Sequence, residues 1–514
     1  MIHTTFQEPL STSSTITLIL SSISIIFLCC LHASKKTRKN PPLPPGPRGL
    51  PLLGNLLSLD RNLHSCLAKL SQAYGPIMKI KMGASLCIVI NSAQLAKQMF
   101  KENDTVFANR HATAAAYAGT LGGTDIIWSP HGEHWRMLRK ICVRSLLNTC
   151  QLDALYHHRR REVRSMVNQM YSEIGKPIDI GDHVFHAAFN LMANMMWGGG
   201  KISQDFTAEF KENLDRSVSL IMAPNISDLY PALAMFDLQG LARRMKNIQA
   251  HLYSKFDLVI NQRLQTKDEE KAQDLLQVLL KIMDSGDQKT PFTIKDVKYL
   301  LMDLIAAGTK SSAATVEWAM TELLRHPKIM LKAQEEIERV VGRNNIVEES
   351  HCSKLHYLNG IVKETLRLHP GAPLLFPRCP SESSVIGGYM IPKGVKVMVN
   401  VWAIQRDAAY WDNPLAFQPD RFVISDQDKN DHCDFKGTNH NYLPFGSGRR
   451  MCAGVPMAER MVPYFLASLL HSFNWKLPDG DNIDLSETFG LELKKTTPLI
   501  VIPAHRLSDP MLYA

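Results

Sequence analysis

Paired cysteines are the first thing this sequence lacks. Its ten cysteines (Cys29, Cys30, Cys66, Cys87, Cys142, Cys150, Cys352, Cys379, Cys433 and Cys452) are scattered, with no Cys-x-x-Cys. That argues against a zinc site or a disulfide framework and suits a reducing compartment. His131, Glu133 and His134 lack the His-Glu-x-x-His spacing of a zinc helix and read as surface residues. There is no internal repeat and no second regime of composition, so the 514 residues read as one large domain behind an N-terminal segment. The net charge of +9 comes with no recognised nucleic-acid motif, which points away from nucleic acid and toward an anionic membrane surface or an acidic protein partner.

Charged side chains are also missing from Pro9 to Ala33, and Ile16 to Leu31 is strongly apolar. A spanning helix needs ~17 to 25 such residues. Lys35, Lys36, Arg38 and Lys39 follow the run, and no lysine or arginine precedes it. This predicts a single-pass anchor over residues 1–34, amino terminus outside and the rest cytosolic. A cleaved signal peptide would carry its positive charge upstream. Residues 35–51 form a basic, then proline-rich hinge (Pro41, Pro42, Pro44, Pro45, Pro47, Pro51), extended because proline cannot continue a helix. Residues 52–514 read as the one large domain. The sequons at Asn103 and Asn225 should stay unglycosylated in that topology.

Helical spacing recurs from Leu63 to Tyr74, Ser92 to Phe100 and Leu241 to Leu264, with strands at Ile77 to Met82 and Cys87 to Ile90 around Gly83. Phe107 to Ser129, rich in small residues, reads as a substrate-facing cap. The charge run Tyr156 to Arg161 reads as a solvated helix face, and Gln265 to Asp274 as a linker. Further strands are expected at Ile386 to Met390 and Val395 to Val401. A closing hairpin is expected to pair Phe489 to Leu493 with Leu499 to Ile502.

One loop, Pro444 to Gly454, holds a cysteine among three glycines and two arginines and runs into an apolar, helix-like segment, Val455 to Leu470. Unsatisfied backbone N–H groups at the helix start, and the adjacent arginines, favour thiolate at Cys452. Glycines let the backbone turn sharply and approach a flat object. Neither the Gly-x-Gly-x-x-Gly spacing nor a following Gly-Lys-Ser/Thr is present, which sets aside a dinucleotide or phosphate loop. Phe445, Gly448, Arg450, Cys452 and Gly454 fill every fixed place of the cysteine loop of the cytochromes P450, and the chain resembles that family. The resemblance implies a mainly α fold with small β-sheets, haem b ligated by Cys452, and monooxygenase chemistry in which the thiolate pushes electron density toward O–O cleavage.

A long helix is expected from a Thr293/Asp296 cap to about Arg325. Its middle, Ala306 to Ser312, resembles the family's oxygen helix. Ala307, Gly308 and Ser312 match, and Ser311 keeps the hydroxyl of the usual threonine. Lys310 stands where the family has an acid. No acid lies three or four residues from it, and Asp303 and Glu317 are seven away. Two expectations follow: either Lys310 reaches water and Ser311 or Thr309 supplies protons, or the enzyme performs rearrangement, dehydration or coupling instead of hydroxylation.

Other motifs extend the resemblance over nearly the whole chain, including the proline hinge, which resembles that of microsomal members. It makes Trp135 and Arg139, which share a helix face, donors to a haem propionate, with Arg378 another. Glu364, Arg367 and Arg421 form a buried charged network locking the cysteine loop. Breaking one member should cost roughly 3 to 5 kcal/mol and release haem. Ala307, Ala372, Leu374, Leu375 and Leu491 are expected to line an apolar pocket. The hinge and several local motifs look like plant microsomal terpenoid and flavonoid hydroxylases. The expected setting is the endoplasmic reticulum membrane, a small lipophilic substrate, and electrons from NADPH through NADPH-cytochrome P450 reductase docking near Arg136, Lys140 and Arg449.

Overall fold

The computed structural model describes residues 41–120, 122–198, 204–265, 274–286, 289–423, 433–479 and 482–514. The expected anchor, the basic start of the hinge and most of the Gln265 to Asp274 linker lie outside the described residues. Among those described, no helix is long and apolar enough to cross a membrane. The hinge from Pro42 onward already belongs to the domain, because the Pro42 and Pro45 carbonyls accept from the amides of Met390 (2.9 Å) and Lys79 (2.8 Å).

In chain order the elements that position the site are α1 (Leu63–Tyr74), β1 (Ile77–Met82), β2 (Ser85–Ile90), β3 (Asn109–Arg110), α2 (Glu133–Ile141), α3 (Tyr156–Ser172), β4 (Ile178–Asp179), α4 (Ile180–Trp197) and α5 (Gln204–Met222). They continue with α6 (Leu241–Gln265), α7 (Ile294–Arg325), α8 (His356–Leu368), β5 (Arg378–Cys379), β6 (Ser384–Ile386), β7 (Tyr389–Ile391), β8 (Lys396–Val399), α9 (Val455–Ser472), β9 (Phe473–Lys476), β10 (Glu487–Thr488), β11 (Lys494–Lys495) and β12 (Ile500–His505). A five-stranded sheet runs β1-β2-β8-β5-β3, with β2 and β8 parallel. A three-stranded sheet runs β4-β12-β9.

The central helix α7 begins at the capping box read from sequence: the Thr293 amide and hydroxyl both donate to Asp296 Oδ2, at 2.8 and 2.7 Å. It packs on α4 and α9, and Leu300, Leu301, Ile305, Val316 and Leu323 disappear into the main core with Phe189, Phe465 and Leu469. Each such burial contributes about 1.5 to 3 kcal/mol, which fixes α7 as the rigid beam of the molecule.

Several expectations change. The charge run at the start of α3 is solvated only in part: His157, Arg160 and Arg161 are exposed, but Arg159 is fully buried, gripping Glu349 at 2.5 and 2.7 Å and the Leu152 carbonyl at 2.8 Å. A long-range carboxylate, invisible in local sequence, makes that burial affordable. The cap region contains a short helix, Ala114–Gly119, started by the Thr113 hydroxyl. The closing hairpin pairs β10 with β11, whereas Ile500–His505 joins β4 and β9. Both sequons are occupied by the fold, since Asn103 donates to the Gln98 carbonyl at 3.0 Å and buried Asn225 caps Ser227 at 2.9 Å.

Candidate active site

Cys452 lies between a tight turn at Gly448–Arg450 and the first residue of α9. Gly446 and Gly448 adopt φ of 73° and 70°, conformations costly for other residues, and a Cβ at 448 would also sit 3.0 Å from the Phe100 carbonyl. Gly454, by contrast, has φ −83° and needs no such freedom. The Cys452 amide donates to the Phe445 carbonyl at 3.0 Å, and the Gly454 amide points at Sγ from 3.3 Å.

The sulfur keeps accessible surface, yet burial pushes its thiol upward, against the pull of the Gly454 amide, Arg139 and the Val455 amide. It therefore faces interior space rather than bulk water. The neighbouring arginines do not supply the expected charge: Arg449 turns to Asp104 at 3.5 Å, and Arg450 spends itself on the carbonyls of Ala108 (2.7 Å), Ile126 (3.4 Å) and Ser129. Arg139 on α2 supplies it instead.

Four guanidiniums converge near the loop. Burial, then the like charges of Arg378, Arg450 and Arg139, hold Arg110 well below the ordinary arginine range. Asp125, the carboxylate acting on Arg110, is itself pushed up to about 7 by burial. Among the described residues the buried Nε atoms of Arg110 and Arg378 have no partner. Such a cluster demands anionic oxygens. Arg110, on edge strand β3, carried no local signal in the sequence; only its pairing with Arg378 across β3 and β5 brings it to the site. The Trp135 indole N–H donates to the Ile126 carbonyl at 3.1 Å, and its ring lies 4.1 Å from the Arg450 guanidinium.

On α7, Ala307 is exposed to the interior, and Ser311, one turn on, donates to its carbonyl at 2.6 Å. Gly308 makes room for α4, since a Cβ there would meet Met192 at 3.0 Å, and the helix runs through it without opening. Thr309 is corrected: it is 0% exposed and donates to the Ile305 carbonyl at 2.8 Å, on the wrong side of the helix to reach Ala307's face. Lys310 does have an acid, from another helix: its Nζ bonds Asp215 Oδ1 on α5.

The supporting network is present. Arg367 grips Glu364 at 2.7 and 2.9 Å with both side chains 0% exposed, and Arg421 reaches the same carboxylate at 3.2 Å. Arg367 also donates to the carbonyls of Gln405 (2.8 Å) and Pro414 (2.7 Å). Its link to the cysteine loop runs through residues the sequence did not flag: Gln405, which accepts the Leu443 amide at 2.8 Å, and Tyr442, whose hydroxyl donates to the Lys363 carbonyl at 2.9 Å.

One expected pocket residue belongs elsewhere. Leu374 is 4% exposed in a cluster with Met78, Val89 and Met398, because the chain after α8 turns it onto the large sheet. Leu375, at φ 49°, packs against the sheet cluster and Gly446. Ala372 and Leu491 are half-buried, and the Leu493 amide donating to the Gly371 carbonyl at 2.8 Å brings their two segments together.

An accessible thiol, under-compensated buried arginines and a small-residue helix face fit haem b. Among the described residues no cluster of three or more histidine, cysteine or acidic side chains offers a protein-only metal site. The Cytochrome P450 family model matches residues 44–502. A flavonoid 3'-monooxygenase of Petunia hybrida is 38% identical over 508 residues, covering 96% of this chain and 98% of its own. The geraniol 8-hydroxylase of Catharanthus roseus is 36% identical, covering 94% and 98%. In fold the chain is similar to a zebra fish cytochrome P450 solved with abiraterone, at TM-score 0.74 and 22% identity over 87% of this chain and 100% of that one. The chain belongs to the cytochrome P450 family and is a haem-dependent monooxygenase.

Proposed function

We propose that this monooxygenase inserts one oxygen atom from O2 into a small lipophilic plant metabolite, a terpenoid or a flavonoid or phenylpropanoid, with electrons from NADPH through a membrane-bound reductase. The observation that carries it is the exposed Cys452 beside a cluster of like-charged arginines in which, among the described residues, Arg110 Nε and Arg378 Nε are buried without a partner. Relatives named for flavonoid and geraniol oxidation support the substrate class.

Bound haem supplies the oxygen-activating chemistry. Cys452 would ligate it, and Arg110, Arg139, Arg378 and Arg450 would hold its propionates. The small side chain of Ala307 would leave room for it beside α7, where the Ser311 hydroxyl would hold a proton. Ala372 and Leu491 contact the substrate and exclude water. The charge of Lys310 is balanced by Asp215, which supports hydroxylation ahead of rearrangement, dehydration or coupling.

Exposed Arg136, Lys140 and Arg449 make a basic face for an acidic reductase. Exposed Leu50, Leu52, Leu53 and Leu57 lie beside a second apolar segment with Leu233, Met235, Phe236 and Leu238, tied together where Tyr230 Oη donates to the Leu52 carbonyl at 3.1 Å. That patch supports attachment to the endoplasmic reticulum membrane with the domain in the cytosol. The test is microsomes carrying this protein and a reductase, given labelled O2 and panels of terpenes and flavonoids. A product gaining one labelled oxygen is expected, and an isomerised or coupled product without label overturns the proposal.

A further inference from the structure

Asp303 lies on α7 one turn before Ala307, and Ser311 lies one turn after it. A carboxyl, a small side chain and a hydroxyl thus follow one another along one face of the helix, about 6 Å apart along its axis. Tyr299, a turn earlier again, bonds the Thr124 side chain. The face is open at Ala307 and covered at Asp303, which is 9% exposed. The cover is the cap segment, whose Ile126 amide donates to Asp303 Oδ2 at 3.0 Å. That contact brings in a second carboxyl, because the residue before Ile126 is Asp125, 2% exposed, whose Oδ1 accepts the Trp128 amide at 2.8 Å.

Two neighbouring carboxyls are therefore held out of water, and among the described residues neither forms an ion pair. Arg450 of the cysteine loop, Arg110 on β3 and Tyr299 on α7 face Asp125; Tyr253 on α6 and Cys142 after α2 face Asp303. Burial raises the Asp125 carboxyl, against the pull of the Trp128 amide and Arg450; burial, then the charge of Asp125, raises that of Asp303. Two such carboxyls do not both ionise at neutral pH, so the pair keeps a proton. Lys310 is committed to Asp215 on α5, which leaves Asp303 as the acid nearest to Ala307 along α7.

We propose that Asp303 delivers protons for the oxygen chemistry, passing the proton it shares with Asp125 along α7 to the space beside Ala307. Insertion of one oxygen atom releases the other as water and consumes two electrons and two protons. The electrons come from NADPH through the reductase. The protons leave the Asp303 carboxyl one at a time for the oxygen being reduced, and the carboxylate takes each replacement from solvent by way of Tyr299 and Thr124 at the edge of the cap. This rests on the oxygen-insertion proposal and deepens it, because it names the acid that the reaction draws on.

The test compares haem-loaded wild type with Asp303→Asn, which keeps an acceptor for the Ile126 amide, and Asp125→Asn, which keeps one for the Trp128 amide. Infrared spectra at pH 7, taken without substrate or reductase, should show a protonated-carboxyl band in wild type that Asp303→Asn lacks; identical spectra overturn the proposal. With NADPH, a reductase and geraniol, Asp303→Asn should slow oxygen uptake about ten-fold or more at unchanged geraniol affinity, and an unchanged rate overturns it. Asp125→Asn probes the pair with Asp303 in place, and decides the matter if Asp303→Asn does not fold. Wild-type uptake should fall as rising pH takes the Asp303 proton. Without the neighbouring charge that fall should come about one unit lower in pH, and an unmoved profile overturns the proposal. The absorption spectrum of the reduced carbon monoxide complex judges the underlying reading separately, because loss of the thiolate-ligated haem signature in wild type sinks the monooxygenase reading whatever the infrared spectra show.

Discussion

Gln405 accepts the amide of Leu443 at 2.8 Å while its own amide donates to the carbonyls of Leu366 and Arg367, each at 3.0 Å. One fully buried side chain thus bolts the end of α8, where the Glu364–Arg367 pair lies, to the strand of chain that becomes the cysteine loop. Gln405→Leu leaves those backbone groups buried and unpaired, at about 1 to 3 kcal/mol for each. The variant should melt well below wild type and purify with less haem per chain. Full haem content with an unchanged melting temperature would show that the loop is held some other way.

Glu487, at the base of the hairpin that carries Leu491 and Glu492, joins His64 (3.2 Å), His369 (3.1 Å) and the Trp402 indole (3.2 Å) in one buried cluster. Burial alone would raise its carboxyl, but hydrogen bonds from His369 and His64 and the charge of Arg406 hold it down to about 2. A carboxyl lowered in the folded state contributes stability above its unfolded value, near 4.5, and loses it as pH falls toward 2. The contribution is on the order of 3 kcal/mol. Melting temperatures taken from pH 5 to pH 3 should fall more steeply for wild type than for Glu487→Gln. Parallel curves would mean that the cluster does not bind its proton differently in the folded protein.

What was legible in the sequence was what is local. The capping box of α7, the Glu364–Arg367 pair three residues apart and the strand β1 could be read because each is set by spacing within a few residues. Arg110, Gln405 and Glu487 escaped because their meaning comes from partners far along the chain: Phe376, Leu443 and His64. The misreadings have the same origin. Arg159 looked solvated until Glu349 arrived from another helix, and Leu374 was read as a pocket residue although the large sheet claims it. Lys310 has no acid three or four residues away on its own helix, and its partner Asp215 comes from α5.

The two hydroxyls on either side of Lys310 should behave differently. Ser311 shares the face of Ala307, whereas Thr309 is buried against Ile305 on the other side of α7. Ser311→Ala should lower product formed per NADPH consumed severalfold, with folding intact. Thr309→Val, which gives up only an intrahelical hydrogen bond, should shift stability by about 1 kcal/mol and leave that ratio alone. The opposite ranking in a coupled assay would place the proton-holding hydroxyl at 309.

Lys310 and Asp215 are partners across two helices, with side chains 14% and 44% exposed, so their attraction is moderated by water. Lys310→Asp replaces attraction with repulsion, from Asp215 and from Glu492 beyond it, and should cost about 1 kcal/mol. Adding Asp215→Lys restores opposite charges in reversed order and should recover most of the loss, a coupling that a double-mutant cycle measures. Throughout the cycle the products should keep one atom of labelled oxygen. If instead the single change switches the reaction between an isomerised and an oxygenated product, then the sign of the charge at 310 selects the chemistry, and hydroxylation is not the native reaction.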